Sequence, residues 1–231
     1  NAKIPGYFKS KFEDLKAFST SYTQTVIFLK TLSGILSSIV NTQGEKTYLV
    51  ILVENRVLRP GGGNLKSFSE VTFKDGKLMK VTGDSVENFD KGFKEIVASP
   101  PDVKNDLGEN NWKLREAATD LDFKTNAQNI SWFYNKGTNK EISGVIVLDT
   151  DGMTKILESV GPLKTDNLGE VSSKNLITKV ALGREGNQPS AEVLKALTEK
   201  LLYSTSNNWM VLVKNLSDAF NQKHLAVYLE D

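Results

Sequence analysis

Tyr48-Leu-Val-Ile-Leu-Val-Glu-Asn-Arg-Val-Leu-Arg-Pro-Gly-Gly-Gly63 is the stretch on which the fold turns. Its apolar, β-branched run, Tyr48 to Val53, reads as a strand buried on both faces. The run stops at a charged turn holding Arg56, Arg59 and Pro60, then Gly61, Gly62 and Gly63. Glycine admits backbone conformations closed to other residues and lets another group come close. Ligands of α/β proteins gather outside the carboxyl ends of such strands. The turn is therefore a candidate site, though it names no reaction.

Downstream, Leu65–Phe73 alternates as a strand does. Lys74-Asp-Gly-Lys77 is a hairpin signal through Asp-Gly, with Leu78–Thr82 as the returning strand. Ser85–Ala98 has Phe89, Phe93 and Val97 on one helical face, and Ser99-Pro-Pro-Asp102 is a breaker. Val103–Lys124 is polar and irregular, and a long loop inside a compact domain is often functional. Thr125–Asn135 reads as a helix and Ile142–Leu148 as a second apolar strand. Met153–Val160 follows as a helix and Gly161-Pro-Leu163 as a turn. Helices are expected near Ser173–Leu182, Ser190–Tyr203 and Trp209–Asn221, then a last strand over Leu225–Leu229. Strands and helices mix throughout, which predicts an α/β class: one mixed-sheet domain flanked by helices, spanning 45–231.

Residues 1–44 form a separate reading. From Tyr7 to Val40, Phe8, Phe12, Leu15, Phe18, Tyr22, Val26, Leu29, Leu32 and Leu36 recur at three- and four-residue spacing. That predicts a long helical N-terminal extension, packed on the domain or serving as a membrane-proximal stalk. Asn41-Thr-Gln-Gly44 supplies its stop signal.

Composition narrows the function classes. The 231 residues are 39% hydrophobic and 25% charged, as in ordinary soluble domains. A net charge of +1 gives no electrostatic case for a nucleic-acid partner, and none is expected. The absence of cysteine excludes disulfides, thiolate metal sites and cysteine nucleophiles. A single histidine, His224, argues against a multi-histidine zinc site and a Ser-His-Asp triad; its place in a strand segment suggests a structural or surface role. No stretch reaches the roughly eighteen apolar residues of a membrane span. Because the first residue is Asn, any signal or anchor is expected upstream.

Three constellations could carry chemistry. Gly61, Gly62 and Gly63 can present N–H groups to an oxyanion, and Arg59 adds a planar fork of donors. The turn lacks the Lys-Ser/Thr ending of a Walker loop and the spacing of a dinucleotide fingerprint; a plain tight bend is the bland reading. Arg115 with Asp120 and Asp122 could hold a phosphate and a hard cation, or merely form exposed ion pairs. Asp149 and Asp151 stand where a strand gives way to a helix, and Asp151 is read as its N-cap. Arg184, in Gly183-Arg-Glu-Gly186, could clamp an anion or cap helix carbonyls.

Taken together, these segments resemble a bacterial family known as the domain of unknown function numbered 4012. Its pattern of an apolar strand followed by Asn/Glu-Leu-Arg-x-x-Gly-Gly matches Glu54–Gly63. Its Leu-Arg-Asp-Ala-Asn-Trp-x-x-Asp-Phe pattern resembles Leu114-Arg-Glu-Ala-Ala-Thr-Asp-Leu-Asp-Phe123, and Asp-Gly-Val-Ile-x-x-Asp resembles Ser143-Gly-Val-Ile-Val-Leu-Asp149 with Gly161-Pro162 after it. The likeness runs from about Lys46 to the end. Val57, Thr119 and Ser143 depart from the pattern; Arg59, Arg115, Asp122 and Asp149 keep it. A fainter likeness, in order and residue type, is to the LytR-CpsA-Psr phosphotransferases.

The resemblance implies an extracytoplasmic, cell-surface module of the bacterial envelope, held to the membrane by an anchor upstream. The departures favour a non-catalytic module that binds an envelope glycan or a protein partner, with no cofactor or metal. The alternative is a LytR-CpsA-Psr-like phosphotransferase acting on polyprenyl-pyrophosphate-linked glycans. There Arg59, Gly61, Gly62, Gly63 and Arg115 would bind the anion, and Asp122 and Asp149 would be the catalytic candidates, holding magnesium or activating an acceptor hydroxyl.

Overall fold

The structure is a computed structural model describing residues 43–181, 188–203 and 209–230, with helical positions 23, 26–30 and 32–34. Most of the helix expected over 7–40, and the loop around Arg184, lie outside the described residues. Within the described part of that helix Phe28 is buried, its ring 5.8 Å from Phe220.

A five-stranded mixed sheet in the order β3-β2-β1-β4-β7 forms the centre. Its strands are β1 (Glu45–Glu54), β2 (Asn64–Lys74), β3 (Lys77–Ser85), β4 (Gly144–Asp149) and β7 (Leu225–Leu229). Only β1 and β4 pair in parallel; β2, β3 and β7 join antiparallel. The carboxyl ends of β1, β3 and β4 therefore meet the amino ends of β2 and β7 along one rim. A separate hairpin joins β5 (Leu163–Thr165) to β6 (Gly169–Val171), where the sequence suggests only a turn.

β1 is buried on both faces, as its composition predicts. Leu49, Ile51 and Val53 point to one core with Leu114, Ile130, Phe133 and Tyr134. Leu52 points to the other with Met153, Ile156, Leu157, Val193, Leu194 and Leu197. Ile51 and Leu52 are 0% exposed, and each such side chain contributes about 1.5–3 kcal/mol.

The helices supply both covers. One face carries α1 (Val86–Gly92), the 3-10 turn Leu114–Glu116 and α3 (Phe123–Thr138). The other carries α4 (Thr150–Val160), α5 (Leu176–Ala181) and α6 (Pro189–Tyr203), with α7 (Trp209–Asn221) against α4.

Two local readings change. The helix expected over Ser85–Ala98 ends at Gly92, and Ala98 instead bridges to Asn111. The Pro-Pro breaker is a helix start: α2 (Pro101–Leu107) places Pro101 in its first turn, where a missing N–H costs nothing, and closes on left-handed Gly108. Among the described residues no helix is long and apolar enough to cross a membrane.

Candidate functional site

The rim at the carboxyl ends of β1 and β4 is built from segments far apart in sequence. β1 ends at Glu54, and the chain turns back through Arg59 and the glycines to open β2 at Asn64. Gly62 N–H donates to the Arg59 carbonyl at 3.0 Å, and Gly62 and Gly63 have φ of 95° and 150°. A side chain at Gly63 would meet the Glu54 carbonyl at 2.5 Å. At Gly61 it would meet the Ala118 carbonyl at 2.2 Å and the Asn126 amide nitrogen at 2.9 Å. The three glycines thus let the turn close on β1 and press against the loop before α3. Among the described residues, neither the Arg59 nor the Arg56 guanidinium has a hydrogen-bond or ion-pair partner.

Arg115 is differently placed. Its Nε lies 3.0 Å from Asp90 Oδ2 on α1 and 3.4 Å from Glu116 Oε1. Asp90 is buried, and its other oxygen accepts the Leu114 N–H at 3.0 Å. Burial raises the Asp90 carboxyl, against the pull of Arg115. Burial pushes Glu116 up to about 7; Arg115 opposes this, and Asp90 and Glu109 add to it. Two buried carboxylates share one arginine because the 3-10 turn packs its backbone against α1.

Asp122 caps α3. It accepts the Thr125 N–H at 3.1 Å and hydroxyl at 3.0 Å, and these bonds hold its carboxyl below the usual range. Asp120 and Asn126 brace the same corner: Asp120 accepts the Asp122 N–H at 2.7 Å, and Asn126 bonds the Asp120 backbone through both its amide oxygen and nitrogen.

Asp149, rather than Asp151, is the N-cap of α4, accepting the Gly152 N–H at 2.8 Å. Its second oxygen faces two groups the sequence reading leaves out of the site. Asn55 Nδ2 donates to it at 3.1 Å, and His224 Nδ1 lies 2.7 Å away. Asn55 also donates to Asp151 at 2.7 Å and accepts the Thr150 hydroxyl at 2.7 Å. Asn55, Asp149 and His224 thus form a polar row across the ends of β1, β4 and β7. His224 precedes β7 rather than lying within it.

Of Arg59, Arg115, Asp122 and Asp149, the Arg59 turn and Asp149 stand at the carboxyl ends of β1 and β4, Asp122 caps the helix whose Asn126 abuts Gly61, and Arg115 sits on the 3-10 turn against α1. Among the described residues no hydrogen bond or ion pair joins any of the four to another. Arg115 is held by Asp90 and Glu116, and both aspartates are capping helices. No group of three or more acidic, histidine or cysteine side chains is arranged for a metal among the described residues.

The family described as "Protein of unknown function (DUF4012)" matches residues 43–182. The chain belongs to that family. No curated protein sequence matches it. Among solved structures, gbs0355 of Streptococcus agalactiae superposes with a TM-score of 0.55 at 16% identity, over 84% of this chain and 72% of that one. The Bacillus subtilis protein yvhJ, named a transcriptional regulator, gives 0.50 at 11%, over 82% and 72%. TagV of B. subtilis gives 0.49 at 13%, over 79% and 83%. The structural neighbours are LytR-CpsA-Psr proteins, and at such identities the likeness is one of fold.

Proposed function

We propose that this chain is an extracytoplasmic module of the bacterial envelope that binds a phosphate-bearing glycan at the carboxyl rim of its sheet. One observation carries the reading: among the described residues Arg59 has no hydrogen-bond or ion-pair partner, and it sits on a glycine turn at the end of the central strand. A guanidinium without a hydrogen-bond or ion-pair partner among the described residues is suited to a phosphate's paired oxygens. Arg115, held by Asp90 and Glu116, is the weaker donor. A protein partner would not need that pairing.

Titration of the purified chain with farnesyl pyrophosphate and with a sugar 1-phosphate tests this. Binding should weaken at least tenfold in Arg59→Ala, the order expected for a lost charge-assisted bidentate contact. Equal affinity in wild type and variant, or no binding at millimolar ligand, would overturn it.

A second reading is phosphoryl transfer from a polyprenyl-pyrophosphate-linked glycan. The polar row of Asn55, Asp149 and His224 beside the same turn favours it, since it adds a group able to take a proton. Such chemistry rests mainly on positioning and charge stabilisation. The fold shared with LytR-CpsA-Psr proteins is compatible with it as analogy.

A further inference from the structure

We infer that His224 is the general base of this rim, with its imidazole aimed by Asp149 and its Nε2 offered to the hydroxyl of an acceptor. The inference rests on the phosphoryl-transfer reading and adds the group that removes the acceptor's proton.

The ring is held from its backbone and from its side chain. The His224 N–H donates to the Ala219 carbonyl at 2.8 Å, and its carbonyl accepts the Asp149 N–H at 3.0 Å. Its Nδ1 faces Asp149 Oδ2 at 2.7 Å. Asp149 cannot swing away, because Oδ1 caps α4 and Oδ2 also takes the Asn55 amide. Asn55 is fixed in turn by Thr150 and Asp151. A carboxylate can only accept at Nδ1, so the neutral ring carries its proton there and keeps a lone pair on Nε2.

Position and access agree with that role. His224 is half-buried, and Nε2 has no hydrogen-bond partner among the described residues. Strands lie about 4.8 Å apart, so the start of β7 stands roughly 10 Å from the end of β1, where the glycine turn begins. A phosphate at that turn and an acceptor hydroxyl beside His224 can belong to one reacting pair. Asp149 and, through Asn55, Asp151 are the charged groups behind the ring; neighbouring Lys155 is turned to Gln222. A histidine kept only for structure would not need the four-residue support of Asp149, Asn55, Thr150 and Asp151.

The step balances. The acceptor hydroxyl gives its proton to Nε2 as its oxygen forms a bond to the glycan-linked phosphorus. The bridging P–O bond breaks, and its electron pair leaves with the polyprenyl phosphate. Asp149 stabilises the imidazolium until the proton passes to that phosphate or to water.

His224 is the chain's only histidine, so imidazole 15N NMR reports on it without ambiguity. The expected spectrum is the Nδ1–H tautomer, with the Nε2 signal moving when inorganic pyrophosphate is added. In parallel, the chain is supplied with a polyprenyl-pyrophosphate-linked sugar and a hydroxylated acceptor, and released polyprenyl phosphate is measured. His224→Gln should lose roughly 100-fold in kcat with KM little changed. Wild-type turnover matched by His224→Gln sinks the inference alone. Absence of wild-type turnover sinks the transfer reading and the base with it. A dominant Nε2–H tautomer overturns the assignment even where the variant fails to fold.

Discussion

Gly61 lies so close to Ala118 that a Cβ on the glycine would fall 2.2 Å from the alanine's carbonyl oxygen. The obstacle is backbone, so no side-chain rotation relieves it. Gly61→Ala must push the turn off the loop before α3, at a cost of about 1–3 kcal/mol. Gly62→Ala meets nothing within 4 Å but must adopt a φ of 95°, at a comparable strain cost of about 1–3 kcal/mol. Urea unfolding should show both losses. Anion binding should fall mainly in Gly61→Ala, where the turn itself is displaced.

The two strand runs were legible because burial on both faces leaves no polar alternation, and the Asp75-Gly76 hairpin because both residues take positive φ, 49° and 74°. The Pro-Pro pair misled because proline breaks a helix interior yet suits a helix start, and only the surroundings of Val103, 2% exposed, decide which. Asp149 and Asp151 are chemically equivalent candidates for one cap; strand pairing to Val53 places Asp149 at the junction. Arg59 could be singled out from its turn alone. The company of Arg115 and Asp149 could not: Asp90 is 25 residues from Arg115, and Asn55 and His224 are 94 and 75 from Asp149. No local period encodes contacts of that range.

Tyr134 and Lys140 secure a buried carboxylate on β2. The Tyr134 hydroxyl donates to Glu70, and Lys140 Nζ lies 2.9 Å from its Oε1. Burial raises the Glu70 carboxyl, but the bonds from Tyr134 and Lys140 outweigh it and leave it below the usual range. Its contribution to stability is therefore present above the unfolded value and is lost as pH falls through the folded one. Tyr134→Phe should cost about 1–3 kcal/mol at neutral pH, because it leaves an acceptor short of a donor. The deficit should shrink in acid, as denaturation at pH 7 and pH 3 would reveal.

Glu116 should make stability fall with rising pH. Its folded carboxyl is pushed up to about 7, so between the ordinary glutamate range and that value the native state binds more protons than the unfolded one. Stability then declines as pH climbs through this window and levels off above it. Glu116→Gln keeps the shape and removes the titration. The variant's Tm at pH 8 should exceed that of wild type, and the difference should narrow or reverse at pH 5. A parallel pair of Tm curves would mean that Glu116 titrates normally in the fold.

Arg59 and Arg115 should separate binding from stability. Arg59 has no hydrogen-bond or ion-pair partner among the described residues, so Arg59→Ala removes no polar protein contact and should leave the unfolding midpoint nearly unchanged. Arg115→Ala strips a cation from Asp90, whose side chain is 2% exposed, and from Glu116. Arg115 is itself 44% exposed, and water screens the pair. The loss should therefore be about 1–3 kcal/mol, below the range for fully buried pairs. Thermal unfolding of the two variants beside the pyrophosphate titration gives the contrast. Arg59→Ala should weaken the ligand at constant Tm, and Arg115→Ala should lower Tm with a smaller change in affinity. If Arg115→Ala instead abolishes binding in a protein as stable as wild type, then the Asp90–Arg115–Glu116 cluster belongs to the ligand site rather than to its support.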